Sequence, residues 1–167
     1  LLNRSSDLFR IRAAVHLCAP IDDDPEIAQL LADKLQGLSR DPSRELVLLV
    51  GHGSKEPGFH EQWRAGLVSL AEQVKAIGGY AEADIAMLLP DQAAEKMTYW
   101  ANRRPELEVL IAPLFLSEGY FTYKVIPQRF AGFAYRYSGA TLLPSPHVGG
   151  WMERRIADKL MMIEKNG

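Results

Sequence analysis

The chain has 167 residues, with 19 basic and 21 acidic side chains, a net charge of −2, 47% apolar residues and 24% charged ones. That composition suits one globular domain, or one domain with an appended element, and leaves no basic surplus for general nucleic-acid binding. No apolar run nears the roughly 20 residues of a membrane-spanning helix, and the single cysteine, Cys18, excludes an internal disulfide or a CxxC zinc site. A cytoplasmic protein without nucleic-acid or membrane partners is expected. The opening Leu1-Leu2-Asn3-Arg4 has neither an initiator Met nor a signal-peptide core, and reads as the middle of a longer chain or a trimmed one.

In chain order, residues 11–18 (IRAAVHLC) read as a strand. Asp24-Pro25-Glu26 then supplies an N-cap, a first-turn proline and an early acid for a helix carrying Ile27, Leu30, Leu31, Leu35 and Leu38. The polar stretch 39–44 is the expected boundary, dividing a strand–helix unit (1–44) from the main domain (45–167). Leu46–Val50 is apolar throughout, the pattern of a central parallel strand buried on both faces. A glycine-punctuated loop, 51–58, follows it. Trp63, Leu67, Leu70, Ala71, Val74 and Ile77 mark a helix that Gly78-Gly79 stops. A strand near 81–88 comes next, then a helix opened by Pro90-Asp91 and closed by Pro105. Val109–Phe115 is a third buried strand, with a short helix expected over 122–130. A fourth strand is expected over 140–143 and a last helix through Trp151, Met152, Ile156, Leu160 and Ile163.

Regular alternation of buried strands and helices predicts an α/β fold, a parallel sheet with helices on both faces. Ligands in such sheets bind beyond the carboxyl ends of the strands, which selects loops 51–58, 89–91, 116–121 and 144–150. There is also an internal likeness. LCAPIDDDPEIAQLLADKL (17–35) and LLPSPHVGGWMERRIADKL (142–160) align without gaps and share a terminal Ala-Asp-Lys-Leu. Either two strand–turn–helix units are alike by chance, or residues 11–38 are the tail of an upstream copy of the same domain.

His52 stands directly after the first buried strand, between Gly51 and Gly53, where an imidazole can act as base or metal ligand at the sheet's binding edge. No GxxxxGK[ST] loop is present, so no nucleotide is implied, and no G-x-S-x-G elbow supports a hydrolase. LVLLVGHGSKEPG (46–58) resembles the opening of the class II tetrapyrrole chelatases, the CbiX/SirB type that inserts cobalt or iron into sirohydrochlorin. VLIAPLFLSEGYFTYKVIPQRF (109–130) is similar to their second landmark, at the family's spacing. The resemblance covers about residues 45–163 and implies a flavodoxin-like or Rossmann-like chelatase fold. It further implies a tetrapyrrole substrate, a divalent metal (Co²⁺ or Fe²⁺) as co-substrate, and a role in cobalamin or siroheme synthesis.

The resemblance makes His52 the metal ligand and proton acceptor. It also shows a departure: where metal-inserting members carry a second histidine and an acid, this chain has Phe121 and Val125. Glu118 in the same loop is a substitute acid, catalytic or metal-binding. His147, after the fourth strand, is a substitute metal ligand. Ser54, Lys55, Gly119, Tyr120 and Lys124 are the expected macrocycle contacts, the lysines because such substrates carry many carboxylates. Tyr123 and Arg129 are further possibilities. His60 is expected to be neutral or solvent-facing, His16 partly buried in its strand, Cys18 inert, and Asp22-Asp23-Asp24 an N-cap rather than a cation site. Arg103-Arg104 need only complement a helix dipole. The alternative function is a degenerate repeat that binds tetrapyrrole or metal without activity of its own, and either a homodimer or a second chelatase-like repeat is the expected partner.

Overall fold

The structure, a computed structural model, describes residues 15–16 and 23–166. It divides into a unit of residues 21–149 and a unit of residues 1–20 with 150–167. The larger unit is built on three parallel strands, β1 (Glu45–Gly53), β2 (Glu82–Leu89) and β3 (Glu108–Pro113), in the order β2-β1-β3. Leu48 of β1 pairs with Asp84 on one side and Ile111 on the other.

Because successive strand residues point to opposite faces, β1 serves two cores. Val47 and Leu49 pack with α1 (Pro25–Gln36) and α2 (Pro57–Gly78). Leu48 and Val50 pack with α3 (Ala93–Arg103) and the single turn α4 (Ile126–Arg129). The continuous apolar run of β1 is therefore the signature of burial on both faces, as expected.

Local chemistry sets the helix limits. Asp24 caps α1 by accepting the Glu26 N–H at 3.0 Å, and Ile27, Leu31 and Leu35 bury its apolar stripe. Gly79, at φ +69°, ends α2 in the left-handed region. Asp91 accepts the Ala93 N–H at 3.1 Å, so α3 starts two residues after the expected opening. The last helix, α5, spans Pro146–Asn166.

Two expectations need correction. Residues 140–143 do not form a fourth strand. The N–H groups of Leu142 and Leu143 reach the carbonyls of Phe115 and Leu116, beyond the end of β3, and among the described residues the returning chain bridges β3 at Leu110 and Arg136. The next outward donor on β3 after Ile111 falls at Pro113, which has no N–H, so the ladder stops. His16 and Val15 are exposed and irregular rather than within a strand; the rest of the 11–18 strand, with Cys18 and Asp22, lies outside the described residues.

The amino end of the sheet is closed by charge. Glu45 is 1% exposed. It accepts hydrogen bonds from Ser39 Oγ (2.6 Å), the N–H groups of Arg40 (2.7 Å) and Asp41 (3.1 Å), and Arg136 (2.5 Å). Burial pushes its carboxyl up, but these four donors outweigh burial and hold it below the ordinary range. Arg136 also reaches Glu108 (2.6 Å) and the Leu38 carbonyl (2.5 Å), which pins the returning chain to β3.

Candidate functional site

His52 lies at the carboxyl end of β1, half-buried, on the row that continues Leu48 and Val50. The two glycines beside it serve different ends. A Cβ at Gly51 would come within 2.8 Å of the Leu67 side chain, so this glycine lets α2 close on the strand. Gly53 sits at φ +74°, and a Cβ there would lie 2.4 Å from the Leu89 carbonyl oxygen. Only glycine fits that turn, and the turn carries the chain out of the sheet beside β2.

Among the described residues, the imidazole meets a backbone carbonyl and an aromatic ring. Its Nδ1 lies 3.1 Å from the Gly53 carbonyl oxygen. A carbonyl can only accept, so Nδ1 carries the proton and donates, and the Nε2 lone pair is left to bind a metal or take a proton. The other neighbour is Phe121, whose ring meets His52 edge-on with centroids 4.9 Å apart at 72°.

Phe121 is held there from several sides. It opens a π-helical turn, Phe121–Val125, that runs directly into α4. It stacks on Phe115, centroids 5.7 Å apart and planes 21° from parallel. The buried Thr122 hydroxyl accepts from the Gly119 N–H and donates to the Gly119 carbonyl, each at 3.0 Å. Tyr137 donates its hydroxyl to the Thr122 carbonyl at 2.8 Å. Burial, then the nearby Tyr135 and Tyr123, pushes the Tyr137 phenol up to about 12, so it remains a donor at any ordinary pH. Thr122 and Tyr137 were not legible as site residues, because the bonds that give them the role cross loops distant in sequence.

The remaining expected residues are dispersed. The Ser54 hydroxyl accepts from the Glu56 N–H at 3.1 Å, and the Ser54 carbonyl faces His60 Nδ1 at 3.2 Å. That bond commits the half-buried His60 ring to the loop. Lys55 is exposed and makes no ion pair among the described residues. Tyr120 is exposed, with the Lys124 ammonium 5.8 Å from its ring centre. Glu118 is exposed and receives the Tyr123 hydroxyl, an interaction that raises the Tyr123 phenol. His147 pairs with Asp33 of α1 at 3.4 Å. No hydrogen bond or ring contact joins Glu118 or His147 to His52. Among the described residues, no three His, Cys, Asp or Glu side chains converge to hold a metal. Arg129 binds Asp91 and Arg104 binds Glu82 and Glu106, so neither arginine is a free cation.

A strand ending in His-Gly-Ser, set against a loop that opens on Pro-Leu-Phe-Leu, is the arrangement that the CbiX family profile matches over residues 46–159. The chain belongs to the CbiX family. No curated protein sequence matches it significantly. Among solved structures it is similar in fold to SirB from Bacillus subtilis with Fe³⁺, with a TM-score of 0.72 at 16% identity, over 95% of this chain and 62% of that one. The chain therefore spans less than two thirds of the SirB chain. No helix among the described residues is long and apolar enough to cross a membrane.

Proposed function

We propose that this CbiX-family chain inserts a divalent metal, cobalt or iron, into a sirohydrochlorin-type tetrapyrrole, in cytoplasmic cobalamin or siroheme synthesis. The observation that carries this is the His52 ring, with Nδ1 engaged by the Gly53 carbonyl and the Nε2 lone pair uncommitted at the sheet's carboxyl edge. Two pyrrole protons must leave as the dication enters. His52 is suited to bind the incoming metal and take one proton, with the exposed Glu118 as a second acceptor. Lys55 and Lys124 supply cations for the macrocycle carboxylates. Tyr120 offers a ring to its face, and Ser54 and Gly119 shape the two loops. His147, whose Nε2 lies 3.4 Å from Asp33, is the further candidate metal ligand.

A second function has its own support: a lobe that binds the macrocycle without inserting metal. Phe121, which can neither ligate nor accept a proton, packs against His52 at the sequence position where the family resemblance implies a second histidine. One experiment separates the two. Purified protein, sirohydrochlorin and Co²⁺ are mixed anaerobically and the visible spectrum is followed beside His52→Ala. Acceleration lost in the variant supports insertion. A spectral shift on binding with no acceleration by either protein refutes insertion and leaves the binding lobe.

A further inference from the structure

The turn that carries Phe121 leaves one backbone group without its helical partner. In the π register the Ile126 N–H donates to the Phe121 carbonyl, five residues back, where an α-helix would use the Thr122 carbonyl. The Thr122 carbonyl should then receive the N–H of residue 127. That residue is Pro127, which has none. Thr122 is 1% exposed, so water is no ready substitute, and a buried carbonyl without a donor is costly.

The missing donor comes from another segment. The Tyr137 hydroxyl donates to the Thr122 carbonyl at 2.8 Å. Its ring is anchored independently of that bond, packed with Tyr135 against the core that Ile126 and Phe130 fill, the two tyrosine ring centres 6.5 Å apart.

Two donors thus compete for one carbonyl. If the Ile126 N–H turned to Thr122, the segment would close in α register. Ile126 is fully buried and fixes the downstream end, so the change would fall upstream. Thr122 would move into the place that Phe121 holds, a step of about 100° around the helix axis. Phe121 would then leave both its stack on Phe115 and the edge of the His52 ring, and the bonds between Thr122 and Gly119 would open.

We infer that Tyr137 is a positioning residue for the His52 site. Its hydroxyl stands in for the amide that Pro127 lacks, holds residues 121–125 in the π register, and so holds Phe121 against the imidazole. The role rests on His52 being the functional group, as proposed above, and is the same whether the chain inserts metal or only binds the macrocycle.

The test reads the register in solution, without substrate or metal. In isotope-labelled protein, the NMR coupling transmitted across a hydrogen bond identifies the carbonyl that the Ile126 N–H reaches. Wild type should show Phe121, and Tyr137→Phe should show Thr122. The His52 ring C–H signals, displaced by the ring current of Phe121, should lose that displacement in the same variant. A bond that served stability alone would lower the melting temperature and move neither signal. Tyr135→Phe, which removes the neighbouring hydroxyl, should leave both as in wild type. Pro127→Ala in the Tyr137→Phe background supplies the absent N–H and should return both signals. An Ile126–Phe121 coupling that persists in Tyr137→Phe overturns the inference, and so does failure of Pro127→Ala to restore it. Because neither signal involves substrate, a negative insertion assay would refute the proposed activity and leave this result standing.

Discussion

Replacing Phe121 by histidine tests whether the site has the geometry of a two-imidazole metal centre. A metal lies about 2.1 Å from an imidazole nitrogen, which places it roughly 3.2 Å from the ring centre. Two such rings at a tetrahedral or slightly smaller angle then stand about 5 Å apart. The His52 and Phe121 centroids are 4.9 Å apart. That separation is compatible with two ligands on one metal, and Phe121→His should add the second if its ring nitrogen turns toward the point that His52 Nε2 faces. The gain should be at least tenfold in Co²⁺ affinity, or about 1.4 kcal/mol. The cost falls on stability: the half-buried ring stacked on Phe115 gives up apolar area, for about 1–2 kcal/mol. Calorimetric titration with Co²⁺ and the ligand-field absorption of the bound ion measure the first term, and a thermal melt the second. His52→Ala in the same background should abolish the gain. Affinity within twofold of the parent, in a protein that still melts cooperatively, would refute the geometric reasoning.

Other substitutions probe the scaffold. Gly53→Ala combines a left-handed φ with a close approach to the Leu89 carbonyl, and should cost about 3 kcal/mol or more by urea melt. Gly51→Ala meets the methyl groups of the buried Leu67 and should cost about 1–3 kcal/mol. Glu45→Gln should lose about 2–3 kcal/mol at pH 7, because a buried charge pair with Arg136 is broken. The Glu45 carboxyl lies below its ordinary value of 4.5, so its contribution is full above that value and is lost as pH falls through the lower folded one. The gap between wild type and Glu45→Gln should accordingly narrow in acid. Tyr137→Phe should cost about 1 kcal/mol by thermal melt. Because the folded phenol is raised from 10.0 to about 12, its contribution is present below 10.0 and lost as pH rises through 12, a dependence the variant should lack.

Much of this protein is determined by the sequence alone, because its signals are local. Five consecutive apolar residues at 46–50, too short a run for a helix and ended by Gly51 and Gly53, read as a strand covered on both faces. Asp24-Pro25 can open α1 without help from elsewhere, and Gly-His-Gly after a buried strand places an imidazole at the binding edge whatever surrounds it. The family followed from two such local motifs.

What the tertiary structure decided are the pairings between segments distant in the chain. The missing ladder N–H at Pro113 turned an expected fourth strand into an irregular return, pinned by Arg136 instead. Glu118 and His147 are both substitutes for the second histidine on paper, and only the fold shows Tyr123 donating to the first and Asp33 beside the second. The ring that meets His52 belongs to Phe121, a residue notable in the sequence only for what it cannot do. Composition and periodicity specify which face of an element is apolar. Which partner fills that face depends on packing across the whole unit, and so Ile27, Leu31 and Leu35 of α1 are buried while Met152, Ile156 and Leu160 of α5 are half-exposed.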